Sequence, residues 1–156
     1  MLRVSKLTDY ATVVLTHIAH QPNELHAASD ITQATGVALP TVSKVLKLLS
    51  KANILTSHRG SKGGYLLASK PKDTNVAEVI TAIEGPIGIT ECTTDHSACE
   101  QESSCEIKGN WNLINRAVYA ALEAVTLADL VLPVVEQAVS ISMPVKMETN
   151  DLKAES

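Results

Sequence analysis

Residues 29–51 read SDITQATGVALPTVSKVLKLLSK. Val42, Val45, Leu46 and Leu49 fall three and four apart, the spacing of a helix with one buried stripe, and Pro40 suits the first turn, where its missing N–H is no loss. This helix begins at about Leu39. Lys44, Lys47 and Lys51 recur at steps of three and four on the other side, so the three cations share one exposed face. Upstream, Ala28, Ile31 and Ala34 mark one side of a short helix opened by Ser29 or Asp30, and Gly36 follows where a tight turn needs positive φ. Two helices joined through a glycine turn, the second basic on its free face, form a helix-turn-helix whose second helix reads DNA.

On the N-terminal side, Tyr10, Ala11, Val13, Val14, Leu15 and Ile18 predict a mostly buried helix over 7–20 that stops before Pro22. On the C-terminal side, residues 54–58 and 65–68 are two short strands around Arg59-Gly60-Ser61-Lys62-Gly63-Gly64. A β-hairpin with a glycine-rich, twice-basic loop, placed just after a recognition helix, is a wing, and Pro71 closes the unit. Thr74 or Asn75 then caps a fourth helix carrying Val76, Val79, Ile80 and Ile83, ended by Gly85-Pro86. Residues 110–124 form a longer helix with Leu113, Ile114, Ala117, Val118, Ala121 and Leu122 on a broad apolar face. A face of that width on a late helix calls for a partner, and a second subunit is the candidate. Mixed charges after Met143-Pro144 predict a disordered tail.

The expected fold is therefore mainly α with a small β-hairpin wing. Residues 1–72 form the winged helix-turn-helix DNA-binding region, 73–108 a connecting helix and a cysteine loop, 109–141 a dimerisation helix with a following short helix, and 142–156 the tail.

The charge distribution agrees with this division. The 156-residue chain has a net charge of -4, which argues against nucleic acid until the chain is split. Residues 1–72 hold nine Lys or Arg against three acids, and the remainder four against fourteen. A basic half joined to an acidic half is expected of a DNA reader with a separate control region. With 45% hydrophobic residues and no Phe, the core is aliphatic, which favours helices. Neither an export signal nor a membrane span is evident, so a cytoplasmic protein is expected.

On the proposed reading helix, Thr41, Ser43 and Lys44 lie near the start, within reach of base edges, while Arg59 and Lys62 in the wing neutralise phosphates. Arg59 suits a narrow minor groove as well. Single lysines are commonly just solvated. The ordered set is what distinguishes the site. The glycine run is not a phosphate loop, because it sits in a hairpin instead of opening a helix.

Cys92, Cys99 and Cys105 are the chain's three cysteines, separated by six and five small or polar residues. An odd number of thiols in a cytosolic context makes a disulfide framework a poor explanation and soft-metal ligation a better one. A loop this long wraps a cluster wider than one ion. Zinc held by the three thiolates and His96 is the rival ligand set. A thiol enzyme with His96 as base is a weaker alternative, since Glu91, Asp95, Glu100, Glu102 and Glu106 would raise a thiol's pKa. His17, His20, His26 and His58 have no ligand spacing and read as structural or exposed, and Trp111 reads as a packing anchor.

These segments together resemble the family of IscR/NsrR-type winged-helix transcription regulators that carry iron–sulfur clusters. The likeness runs from Leu2 to about Leu130 through LRVSKLTDYA, SDITQATGVALPTVSKVLKLL, RGSKGGYLLA, AEVITAIEGP, the three cysteines, NWNLINRAV and TLADL. Within the family, MLRVSKLTDYATVVL, IEGPIGITEC and GNWNLIN are most similar to the branch that represses SUF iron–sulfur assembly genes. The resemblance implies a non-enzymatic, cytoplasmic homodimer on double-stranded promoter DNA, with no membrane and no small-molecule substrate. It implies a long helix crossing to the partner subunit and an iron–sulfur cluster, of two-iron or four-iron type, on Cys92, Cys99 and Cys105. It also places Thr41, Ser43, Lys44, Arg59, Ser61 and Lys62 on the DNA-facing surface. Some relatives use a histidine three residues after the last cysteine as fourth ligand, but that position here is Lys108. Another branch uses an aspartate in the partner's first helix, matched by Asp9, with His96 as the local competitor.

Overall fold

A computed structural model of the chain describes residues 3–90, 93 and 105–132. Cys92, Cys99, His96 and the expected tail lie outside the described residues. The order is α1 (Lys6–His20), α2 (Ala28–Thr35), α3 (Leu39–Lys51), β1 (Leu55–His58), β2 (Gly64–Leu67), a 3-10 turn at Pro71–Asp73, α4 (Val76–Glu84), α5 (Lys108–Glu123) and α6 (Leu127–Val131). The mainly helical fold with a two-stranded antiparallel wing is as expected.

The core forms where the helical stripes meet. Val14, Leu15 and Ile18 of α1, Ile31 of α2 and Val42, Val45, Leu46 and Leu49 of α3 are fully buried. Each such side chain is worth about 1.5–3 kcal/mol relative to exposure. The core is continuous past residue 72, because Val79 of α4 and Leu127 of α6 belong to the same cluster. Helix α6 packs on α1, and paired backbone bonds tie its start to that of α4: Val76 N–H to Val125 O at 2.9 Å and Leu127 N–H to Thr74 O at 2.9 Å. Asn75 is the residue that caps α4, and Glu78 returns the capping bond.

Several expectations shift. Helix α2 opens one residue before Ser29, from Ala27, with no side-chain cap. Ser29 and Asp30 fall inside its first turn, where the Ser29 hydroxyl donates to Asp30 Oδ1 at 3.2 Å. Ile31 alone of the α2 stripe is buried, and Ala34 is exposed, because a two-turn helix has room for one central anchor. Val13 on α1 is also exposed. The strands are offset by one residue from the expected bounds, and α5 begins at Lys108 instead of residue 110. Helix α5 packs on α4 and leaves Leu113, Ile114 and Tyr119 exposed. No helix among the described residues is long and apolar enough to cross a membrane.

Candidate nucleic-acid interface

The turn between α2 and α3 depends on Gly36, at φ 73°, whose N–H bonds Thr32 O at 2.9 Å. A side chain is strained in that conformation, so glycine there makes the tight reversal. Val37 is buried just after it, anchoring the start of α3 against the core. Ala38 heads α3 with no side-chain cap, and Pro40 sits in the first turn. Both helices of the helix-turn-helix thus begin without a side-chain acceptor, leaving first-turn amides for solvent or phosphate oxygens.

The far end of α3 aims the chain into the wing. Asn53 adopts φ 60°, Asn53 N–H reaches Ser50 O at 3.1 Å, and Ile54 N–H reaches Leu49 O at 3.0 Å. These two bonds are the Schellman pair that ends a helix at a left-handed residue, and buried Leu49 and Ile54 supply its apolar contact. Asparagine is the non-glycine residue that best tolerates this backbone. Its place in Lys51-Ala52-Asn53-Ile54 was the available signal, and periodicity passed over it.

Leu55 pairs with Leu67, Thr56 with Leu66, Ser57 with Tyr65 and His58 with Gly64. Beyond His58 the loop turns through a bond from Gly63 N–H to Gly60 O at 3.0 Å, which puts Ser61 and Lys62 at the tip and Arg59 beside it. All three are exposed. The wing root is clamped to the body by His26, whose N–H bonds Tyr65 O at 3.0 Å and whose carbonyl accepts from Tyr65 N–H at 2.9 Å. Gly64 permits this approach, since a Cβ there would lie 2.8 Å from His26 O.

The sequence-derived DNA residues fall on these two elements. Thr41 and Ser43 are half-buried in the first half of α3, and Lys44, Lys47 and Lys51 are exposed along it. No ion pair forms among the described residues, so the five cations Lys44, Lys47, Lys51, Arg59 and Lys62 have no internal carboxylate partner there. Unneutralised cations on a recognition helix and a wing tip can each displace a counterion from a phosphate.

Of the cysteines, Cys105 is described, as a free, half-buried thiol three residues before α5. Among the described residues no group of three or more His, Cys, Asp or Glu is placed to hold a metal ion, and Cys92, His96 and Cys99 lie outside them. Asp9 is exposed on α1 and lines a groove of about 400 Å³ with Thr35, Gly36, Val37, Ala38 and Thr41. It therefore stands beside the turn that sets the recognition helix.

The histidines are more organised than their spacing suggests. His26 is buried, its ring donates from Nε2 to Gln21 O at 3.0 Å, and it meets His17 edge-to-face with centroids 5.4 Å apart. Burial first, then repulsion from His26 and His20, holds His17 below its ordinary pKa. A neutral His17 can pack against the clamp residue without charging it. Trp111 is half-buried in the first turn of α5.

Comparison with known proteins fits this architecture. Residues 4–133 match the Rrf2 family, described as iron-dependent transcriptional regulators. Protein rrf2 of Nitratidesulfovibrio vulgaris is 32% identical over 130 residues, 83% of this chain and 87% of that protein. The HTH-type transcriptional regulator NsrR of Shouchella clausii is 27% identical over 133 residues, 84% of this chain and 89% of its own length. CymR, the global cysteine regulator of B. subtilis, superposes with TM-score 0.66 at 25% identity over 84% of this chain and 97% of its own. T. potens IscR superposes with TM-score 0.62 at 25% identity, covering 83% and 85% of the two chains. With the helix-turn-helix, the wing and the matched span in agreement, the chain belongs to the Rrf2 family of winged-helix transcription regulators.

Proposed function

We propose that this protein is a cytoplasmic homodimer that binds promoter DNA of SUF iron–sulfur assembly genes as a repressor and is controlled by an iron–sulfur cluster. The observation that carries the DNA half is the pair of surfaces just described: uncapped α3 with Lys44, Lys47 and Lys51 outward, and a wing tip of Arg59, Ser61 and Lys62. Thr41, Ser43 and Lys44 read base edges, and Arg59, Ser61 and Lys62 hold the flanking backbone or minor groove. Supporting the control half, Cys105 is a free soft donor at the foot of α5, fitting a thiolate-held group with Cys92 and Cys99. When bound, such a cluster supplies a redox- and supply-sensitive centre whose charge and geometry differ from those of the free thiols. Asp9 of the partner subunit and His96 are the two candidates for the fourth ligand. A carboxylate is the harder and more labile of the two on iron.

The chain's own residues do the rest. The open apolar side of α5, with Leu113, Ile114 and Tyr119 exposed and Ala117, Val118, Ala121 and Leu122 half-buried, is covered by a second copy. Pairing through α5 sets the separation of two recognition helices on a pseudo-palindromic site. The segment between α4 and α5 joins the cysteines to both helices, so a change there alters that separation.

Anaerobically purified protein tests this. The reading expects visible absorption, with iron and acid-labile sulfide in the preparation. A colourless protein holding zinc would favour the zinc-stabilised alternative. A metal-free protein answering to cysteine-derived thiols would place it nearer the activity named for CymR.

A further inference from the structure

Helix α1 is capped partly by a residue from another helix. Ser5 at its N-cap accepts the Thr8 amide through Oγ at 3.2 Å. In α4 and α6 the residue three places on returns a carboxylate to the cap amide, Glu78 to Asn75 N–H at 3.0 Å and Asp129 to Thr126 N–H at 2.8 Å. In α1 that place is Thr8, which has no carboxylate. The Ser5 amide instead donates to Glu84 Oε1 at 2.8 Å, and the Thr8 hydroxyl donates to the same oxygen. The capping box is completed in trans, across 79 residues.

Glu84 stands where helix geometry alone would not favour it. It is the last residue of α4, at the negative end of that helix, and it is stabilised by the positive end of α1. Thr8 is buried, so its hydroxyl depends on this partner. Gly85 follows at φ 92° and ψ -167°, a conformation open essentially to glycine, and from it the chain leaves toward Cys92. Val4, Ile80, Ile89, Val118 and Leu122 line a cavity of about 710 Å³ beside this elbow, so the segment has room to shift. Glu84 is thus its fixed point on α4, and through Glu84 the first turn of α1 is the next. Asp9 lies in that turn, and α1 packs directly on α3.

We propose that Glu84 is a positioning residue for regulated DNA binding: by completing the α1 cap it fixes the first turn of α1, Asp9 included, to the segment bearing the cysteines, and so couples that segment to the recognition helix. This rests on the cluster-controlled reading above.

The test uses the full chain under anaerobic conditions and measures the ratio of promoter affinities with and without the cluster. The variants are Glu84→Ala, Glu84→Gln, Thr8→Val and Thr8→Ser, with amide exchange followed at residues 6–9. Glu84→Ala and Thr8→Val are expected to move the ratio about fivefold or more toward one and to speed exchange in the first turn of α1. Glu84→Gln and Thr8→Ser keep the acceptor and the donor and should hold the ratio within about twofold of wild type. Thr8→Val keeps the side-chain volume and carries the test should Glu84→Ala fail to fold. Lower melting temperatures with the ratio intact in every variant mean that Glu84 only holds the fold, which overturns the proposal. A wild-type ratio of one overturns the cluster-controlled reading itself, and the proposal falls with it.

Discussion

Gly64→Ala probes the join between wing and body. A Cβ at residue 64 would lie 2.8 Å from His26 O, 2.9 Å from His26 C and 3.2 Å from His26 N. These are backbone atoms with no rotamer to swing aside, so relief requires His26 and Tyr65 to separate. They share two hydrogen bonds, of 3.0 and 2.9 Å. At about 0.5–1.5 kcal/mol net per bond, their loss amounts to about 1–3 kcal/mol. For a chain of this size that lowers the melting temperature by roughly 3–9 °C. Promoter affinity should fall with it, because the clamp orients the strand that leads from the wing tip. Gly109→Ala is the control: it lies in α5 with nothing within 4 Å of a new Cβ, and alanine there should be neutral or stabilise by up to about 1 kcal/mol. Thermal and urea unfolding followed by circular dichroism, with fluorescence anisotropy on the same preparations, measures both effects. A Gly64→Ala protein that melts within about 1 °C of wild type and binds promoter DNA as tightly would refute the reasoning.

Other consequences concern charge, core and pH. Lys44→Ala and Arg59→Ala should each reduce the slope of log affinity against log salt by about 0.9 if each cation meets one phosphate, and unchanged slopes would remove those residues from the interface. Leu127→Ala, at a fully buried position between α6 and the core, should cost about 2–5 kcal/mol in urea unfolding, showing that the helices after residue 72 stabilise the DNA-binding fold. The Thr8 hydroxyl and then the Ser5 amide hold the Glu84 carboxyl below its usual range, and Thr126 does the same for Asp129. A carboxylate depressed on folding contributes stability that is present above its unfolded value of about 4.3 for Glu and is lost as pH falls through the folded value. Melting temperature should therefore drop as pH falls below about 4.5, less steeply in Glu84→Gln.

How far the sequence could be read followed the range of each interaction. The α3 stripe, Gly36, the wing loop and the outward lysines are set by neighbours three or four residues away or by a local backbone need, and their periodicity shows it. The start of α2 was missed because Ser29 and Asp30 are both good caps, and Ala27 heads the helix although its side chain can accept nothing. The His26–Tyr65 clamp and the Glu84 cap join residues 39 and 79 apart. No local pattern encodes such meetings. Glycines 63 and 64 carried a partial signal: a turn requires one or two glycines, whereas the second glycine here answers to the His26 backbone. Of the cysteine site, the sequence offered ligand types and spacing, and the structure adds the free thiol of Cys105 and the placement of Asp9 beside the helix-turn-helix turn.

The central claim, a DNA reader governed by a thiolate-held cluster, is tested most directly by one anaerobic anisotropy titration of a SUF promoter fragment before and after cluster removal, at two salt concentrations. The account predicts a coloured protein whose promoter affinity falls by about tenfold or more, or about 1.4 kcal/mol, on removal, while weak, salt-sensitive binding to unrelated DNA persists. A colourless protein without iron and sulfide, or a promoter affinity that removal leaves unchanged, would contradict it.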